Sequence, residues 1–124
     1  MVDLHTLSTW LCRLLDVEAI ESHISDQRPL SASYKWQGQV KKERFLLAIK
    51  VTPQVMKIQY LWIPLSMQKK GIGSAIIIYL YQLAQIYELK AIFIEPRPGS
   101  EGFWQKVGFT PSEKDNYIWE RPVI

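Results

Sequence analysis

One change of hydrophobic period constrains this chain more than any other feature, and it falls across a loop carrying two glycines. Upstream of the loop, Val55 to Ile63 alternates, with Met56, Ile58, Tyr60 and Trp62 placed on one face of an expected strand. Downstream, Ile72, Ile76, Tyr79, Leu80, Leu83 and Tyr87 trace a wide helical stripe between Gly71 and Glu88. The stretch from Ala75 to Tyr81 is apolar almost all round, which predicts a heavily buried helix. A strand that runs through a loop into a glycine-opened helix makes an anion site, because the first N–H groups of the helix are unpaired and its dipole is positive there. Gly71 and Gly73 let a large anion approach the backbone with no Cβ in the way, and Lys69 and Lys70 add mobile charge beside it.

The flanking segments fit around this centre. Leu4, Leu7, Leu11, Leu14 or Leu15, and later Ile20 and Ile24, recur at helical spacing and predict one long amino-terminal helix, with Asp3 as its N-cap and Ser25 to Pro29 as its exit. Ala32, Tyr34 and Trp36 share one face of a strand ending near Gly38. Lys41 to Arg44 reads as a polar turn, Phe45 to Val51 as a buried strand, and Thr52, Pro53 and Gln54 as the next turn. Three strands joined by short turns form an antiparallel meander. After the long helix, Ala91 to Ile94 is a short strand that a right-handed crossover sets parallel to the strand before the loop. Gly99 to Val107 is a shorter helix stopped at Gly108, and Asn116 to Glu120 is a last strand.

Composition narrows the class. A chain of 124 residues with 48% hydrophobic and 22% charged residues supports a single globular domain over 1–124, with a divergent helix and loop at 1–29 and the sheet and binding core at 30–124. Cys12 is the single cysteine, so neither an intrachain disulfide nor a multi-cysteine metal site can form; it falls beside the apolar stripe of the first helix as a packing residue. His5 and His23 are expected on that helix as surface residues, and their spacing does not suggest a metal site. Asp3 and Arg13 interrupt the apolar residues that a secretion signal would need, and no run approaches the roughly 20 residues of a membrane span, so a cytoplasmic protein without membrane partners is expected. The net charge is +3, and the basic clusters, Lys41, Lys42 and Arg44 at one turn and Lys69 and Lys70 at another, are too sparse for a nucleic-acid footprint.

The nature of the anion follows from the spacing. A Walker A loop needs lysine and then serine or threonine after its second glycine, but Lys70 precedes Gly71. A dinucleotide fingerprint needs a third glycine where Ile76 stands. Gln68-x-x-Gly71-x-Gly73 instead resembles the Arg/Gln-x-x-Gly-x-Gly/Ala signature of the GNAT (Gcn5-related) N-acetyltransferases, whose loop cradles the pyrophosphate of coenzyme A. Phe103-Trp104-Gln105-Lys106-Val107-Gly108-Phe109 resembles the segment that closes the fourth helix of that family, and the likeness spans about residues 45–120.

The resemblance implies an α+β fold with a mostly antiparallel central sheet, a splayed parallel strand pair and flanking helices. It also implies acetyl-coenzyme A as co-substrate and an acceptor that is a small-molecule amine or a protein amino group. Leu61, Trp62 and Ile63 would hold the pantetheine arm, with the Ile63 N–H as oxyanion donor. The N–H groups from Gln68 through Lys69, Lys70, Gly71, Ile72 and Gly73 to Ser74 would hold the pyrophosphate.

The chain departs from the family's pattern at the catalytic positions. Trp104 stands where a tyrosine usually serves as the acid, and an indole N–H donates a hydrogen bond but supplies no proton. Arg97 replaces a common asparagine and is assigned to the cofactor. Glu95 is the first candidate for the general base and Glu101 the second; Tyr117, Tyr79 or water are substitute acids. The family's first strand has no counterpart in the expected helix, which leaves the acceptor site open or completed by a second subunit, and five tryptophans supply surface for a homodimer. Two functions stay open on these residues: an N-acetyltransferase, and a non-catalytic coenzyme-A-binding or protein-interaction module on the same fold.

Overall fold

A computed structural model describes residues 3–28, 31–68 and 70–122. In chain order its elements are α1 (Leu7–Leu15), β1 (Glu21–Arg28), β2 (Ser31–Val40), β3 (Glu43–Val51), β4 (Val55–Trp62), α2 (Ile72–Ile86), β5 (Ala91–Ile94), α3 (Glu101–Lys106), β6 (Thr110–Pro111) and β7 (Tyr117–Glu120). The strands form one sheet in the order β1-β2-β3-β4-β5-β7-β6, and every pairing is antiparallel except β4 with β5. This is the mixed fold that the sequence predicts, with the parallel pair made by the α2 crossover.

The amino-terminal third differs from expectation. Leu7, Leu11 and Leu15 bury one stripe of α1, but the helix stops at Asp16, whose φ of 55° is left-handed. The Val17 N–H bonds the Cys12 carbonyl at 3.0 Å and the Asp16 N–H bonds that of Arg13 at 3.4 Å, the paired bonds that close a helix. Ile20 and Ile24 therefore do not continue it. Residues 21–28 form β1 against β2, so the strand expected to be missing is present, and His23 lies on it rather than on a helix. Asp3 caps the turn before α1: its Oδ1 accepts the Thr6 N–H at 2.7 Å, which lowers the carboxyl pKa. Ile20 crosses the sheet at Gly38, where a Cβ would come within 2.7 Å of the isoleucine Cδ1. That crossing explains a glycine inside β2.

The meander is as expected, with a tighter first turn. Val40 pairs with Glu43, so Lys41 and Lys42 alone make the connection, at φ 51° and 70°. One face of the sheet carries Trp36, Phe45, Leu47, Ile49, Met56, Ile58 and Ile92, which form the core together with the buried stripes of α1 and α2 and with Trp104 of α3. The other face carries Lys35, Arg44, Lys50 and Lys57.

β4 changes face halfway along. Ala48 pairs with Tyr60 while Ile49 pairs with Ile58, so Gln59 is an extra residue, a β-bulge. Beyond it the alternation inverts. Leu61 and Ile63 pack on the core, while Tyr60 and Trp62 turn to the opposite face, 51% and 48% exposed. The expectation that Met56, Ile58, Tyr60 and Trp62 share a face fails for this reason. Among the described residues no helix is long and apolar enough to cross a membrane.

Candidate active site

The parallel pair opens at the bulge. β5 pairs with β4 from Val55↔Ala91 to Ile58↔Ile94 and then ends, while β4 runs on to Trp62. Past Ile58 the β5 side of β4 faces a cleft of ≈ 610 Å³ rather than a neighbouring strand. Bulges bend and twist their strand, so the residue that reverses the side chains also carries β4 away from β5. The cleft is walled by Leu61 of β4 and Ile63 just beyond it, by Gly71, Ile72, Gly73 and Ser74 at the start of α2, and by Phe103 and Trp104 from α3.

The start of α2 leaves its backbone donors open. The first bond of the helix is Ala75 N–H to the Gly71 carbonyl, 3.0 Å, which leaves the N–H groups of Ile72, Gly73 and Ser74 without intrahelical acceptors. No side chain caps this end, and the first turn holds no acidic residue. The two glycines serve different ends. Gly71 has φ 77° with nothing within 4 Å of an added Cβ, so its requirement is conformational. At Gly73 a Cβ would meet Phe103 Cζ at 3.0 Å and Ile63 Cδ1 at 3.1 Å, so its requirement is the packing of the cleft walls. Gln68 acts within the loop: its Nε2 donates to the Ile63 carbonyl at 3.1 Å, and its own N–H is taken by the Leu65 carbonyl at 3.2 Å. Gln68 lines the cleft, with both its backbone and side-chain amides engaged within the loop. Lys70 is exposed and does not line the cleft, and Lys69 lies outside the described residues.

Of the two candidate bases, Glu95 lines the cleft at the end of β5 and Glu101 does not. One oxygen of Glu101 is buried without a hydrogen-bond partner. Arg97 reaches the cleft and lies over Trp62 at 4.8 Å and Tyr60 at 5.9 Å from the ring centroids. The Trp62 side chain lies on the far face of the sheet, so only its backbone borders the cleft side of β4.

Trp104 is 5% exposed and packs edge-on against Phe103 and Phe109, at 5.0 and 5.3 Å, as a wall of the cleft. Neither substitute acid reaches the cleft. The Tyr79 hydroxyl donates to the Asp3 carbonyl at 3.0 Å beside α1, and that of Tyr117 meets Gln105 Nε2 at 3.3 Å. Tyr81 donates to the Val107 carbonyl and stacks on Trp119, fixing the end of α3 to α2; burial pushes its pKa up to about 12. Among the described residues Tyr60 is the one tyrosine that borders the cleft, with its side chain turned to the opposite face of the sheet. Period-two reading misplaces it, because it puts Tyr60 on the same face as Met56 and Ile58.

His5 and His23 are exposed and apart from the cleft, and Cys12 packs half-buried against the core.

Solved structures share this architecture. Tetrahymena GCN5 superposes with a TM-score of 0.59 at 11% identity, over 73% of this chain and 71% of its own. Nourseothricin acetyltransferase gives 0.57 at 11% identity, over 76% and 67%. A GNAT family acetyltransferase from Elizabethkingia anophelis, solved with acetyl-CoA bound, gives 0.54 at 14% identity, over 82% and 97%. No protein-family model and no curated protein matches the sequence. The chain has the GNAT acetyltransferase fold.

Proposed function

We propose that the chain is a GNAT N-acetyltransferase that moves an acetyl group from acetyl-coenzyme A to an amine. One observation carries this reading: the unpaired edge of β4 and the uncapped amino end of α2 border the same cleft. The fit is chemical as well as spatial. The free N–H groups of Ile72, Gly73 and Ser74 at the positive end of α2 suit a pyrophosphate, and the free edge of β4 suits an amide-bearing arm that completes a strand-like pairing.

Within that frame the chain's own groups divide the work. The Glu95 carboxylate takes a proton from the acceptor ammonium, leaving the nitrogen lone pair free to attack the thioester carbonyl. The Ile63 N–H meets the negative charge that develops on the carbonyl oxygen. A C–N bond forms and the C–S bond breaks; the nitrogen gives up its second proton to water, and the departing thiolate takes one from water. Trp104 keeps water from one wall of the cleft and holds Phe103 against Gly73.

A second reading has its own observation. Trp104, which the resemblance aligns with the family's acidic tyrosine, is buried and has no acidic proton, and a coenzyme-A-binding module without catalysis would lose nothing by it. Thermal unfolding separates the possibilities, with coenzyme A, acetyl-coenzyme A, ATP and NAD titrated separately. A ligand at about 100 times its dissociation constant adds roughly 2.7 kcal/mol. Stabilisation by both coenzyme A forms and by neither control supports the cleft assignment, and no shift refutes it. Thiol release with a panel of amines then supports transfer; stabilisation without release under any amine favours the binding module.

A further inference from the structure

A second cavity opens on the opposite face of the sheet. It has a volume of ≈ 640 Å³ and a floor of Leu46 and Ala48, with Lys35, Arg44 and Trp62 among its walls. It meets the first cleft at three shared residues, Gln59, Tyr60 and Arg97. The two cavities therefore abut at the bulge, where β4 and β5 part.

The charge of this groove is one-sided. Lys35, Arg44 and Arg97 line it, and among the described residues no carboxylate does. Lys50 and Lys57, paired across β3 and β4, extend the same positive face and are exposed. Glu43, the nearest acid in sequence to Arg44, is committed elsewhere: its Oε2 accepts the Ser66 N–H at 3.0 Å and the Ser66 Oγ at 3.3 Å. Among the described residues no lysine or arginine lies within 4.0 Å of a carboxylate; the one contact of this kind is His23 Nε2 with Glu21 Oε2, at 3.5 Å. Three cations without carboxylate partners, beside an apolar floor and two half-exposed aromatic rings, leave an anion to be supplied from outside the chain.

We propose that this groove seats the acceptor, and that the acceptor is an amine that also carries a carboxylate or phosphate group. The inference rests on the transferase reading above. The ammonium passes the junction toward Glu95 in the first cleft, the anionic group is met by Lys35, Arg44 and Arg97, and the connecting atoms lie on Leu46 and Ala48 against Trp62. A polycationic acceptor is disfavoured, because it would meet three like charges and find a single carboxylate.

Isothermal titration tests this without requiring turnover. Three amine probes are compared on the same protein, with and without coenzyme A: the tetrapeptide alanyl-glutamyl-glutamyl-tyrosine amide, its twin with lysine at both glutamate positions, and 6-aminohexyl phosphate. The expected result is that at least one anionic probe binds about tenfold or more tightly than the lysine twin, a preference that weakens as salt rises. The order of the two anionic probes identifies carboxylate or phosphate as the preferred group. The double variant Lys35→Gln with Arg44→Gln should lose the preference while keeping its thermal stabilisation by coenzyme A. Equal binding of all three probes, tighter binding of the lysine twin, or a preference that survives the double variant overturns the proposal. A protein that prefers the anionic probes but gains no stability from coenzyme A overturns the transferase reading instead.

Discussion

Gly71 is the position where backbone conformation and ligand binding can be separated by one substitution. Its φ of 77° lies in the left-handed region, and an added Cβ would meet no atom within 4 Å. Gly71→Ala therefore introduces no clash, and its cost is the left-handed strain of an L-residue, about 1–2 kcal/mol. Lower entropy in the unfolded chain returns part of this, ~0.4–1 kcal/mol, so the net loss is about 1 kcal/mol, or a fall of roughly 4 °C in Tm for a domain of this size. If the strain is relieved by rotating φ, the N–H groups of Ile72, Gly73 and Ser74 are re-aimed, and affinity for coenzyme A should fall by about tenfold, ~1.4 kcal/mol. Gly71→Asn should retain more of both, because asparagine tolerates the left-handed region. The assay pairs thermal unfolding of the free protein with calorimetric titration of coenzyme A for the wild type and both variants. An alanine variant as stable and as tightly binding as the wild type would refute the conformational reasoning. One that loses stability but keeps its affinity would refute the placement of the pyrophosphate.

Other positions give independent checks. Lys41 and Lys42 form a two-residue hairpin turn at φ 51° and 70°, so Lys41→Asn with Lys42→Gly should raise stability by roughly 1–2 kcal/mol in denaturant unfolding and leave coenzyme A binding unchanged. Ile49 is fully buried at the centre of the sheet, and Ile49→Ala should cost about 2–5 kcal/mol by the same measurement. Asp3 has a pKa below its ordinary 3.8 because its carboxylate accepts the Thr6 N–H, so its contribution is present above that pH and is lost as pH falls through the folded value. The stability difference between wild type and Asp3→Ala should accordingly shrink below pH 3.8; a difference that holds constant into strong acid would show that the cap contributes nothing through its charge.

What was legible in the sequence was what periodicity and backbone-specific residues encode. Phe45 to Val51 and the α2 stripe announced themselves by burial, and Gly108, at φ 111°, ended α3 where expected. The loop from Gln68 to Gly73 was legible because an open helix start needs particular residues. β1 was not, because Glu21 to Arg28 is a polar edge strand whose one apolar residue, Ile24, is 53% exposed; its contribution is backbone pairing, which leaves no hydrophobic pattern. The stop at Asp16 was missed for a related reason: aspartate is an uncommon left-handed helix stop, where glycine would have been read as one. The bulge at Gln59 was out of reach in principle, since a bulge is a property of two strands in register and not of one segment's pattern. Tyr60 and Trp62 beyond it are consequently expected on the face of Met56 and Ile58, whereas Tyr60 borders both cavities from the opposite face.

That single extra residue ties the two halves of the candidate site together. By inverting the alternation it brings Ile63 inward, and the Ile63 Cδ1 then stands 3.1 Å from where a Cβ of Gly73 would be. The second glycine of the loop motif is thus demanded on the cleft side by a side chain that the bulge placed there. The same inversion sends Tyr60 and Trp62 to the opposite face, where they carry the Arg97 guanidinium and wall the basic groove. It coincides with the last paired residue of β5, so the two cavities communicate where the inversion occurs. A chain that kept strict alternation through Gln59 would have Tyr60 and Trp62 competing for the core space of Leu61 and Ile63. It would also lose the aromatic wall of the groove and have no local cause for β4 to leave β5. Cleft, groove and glycine requirement are therefore consequences of one irregularity in register, and they would be gained or lost together.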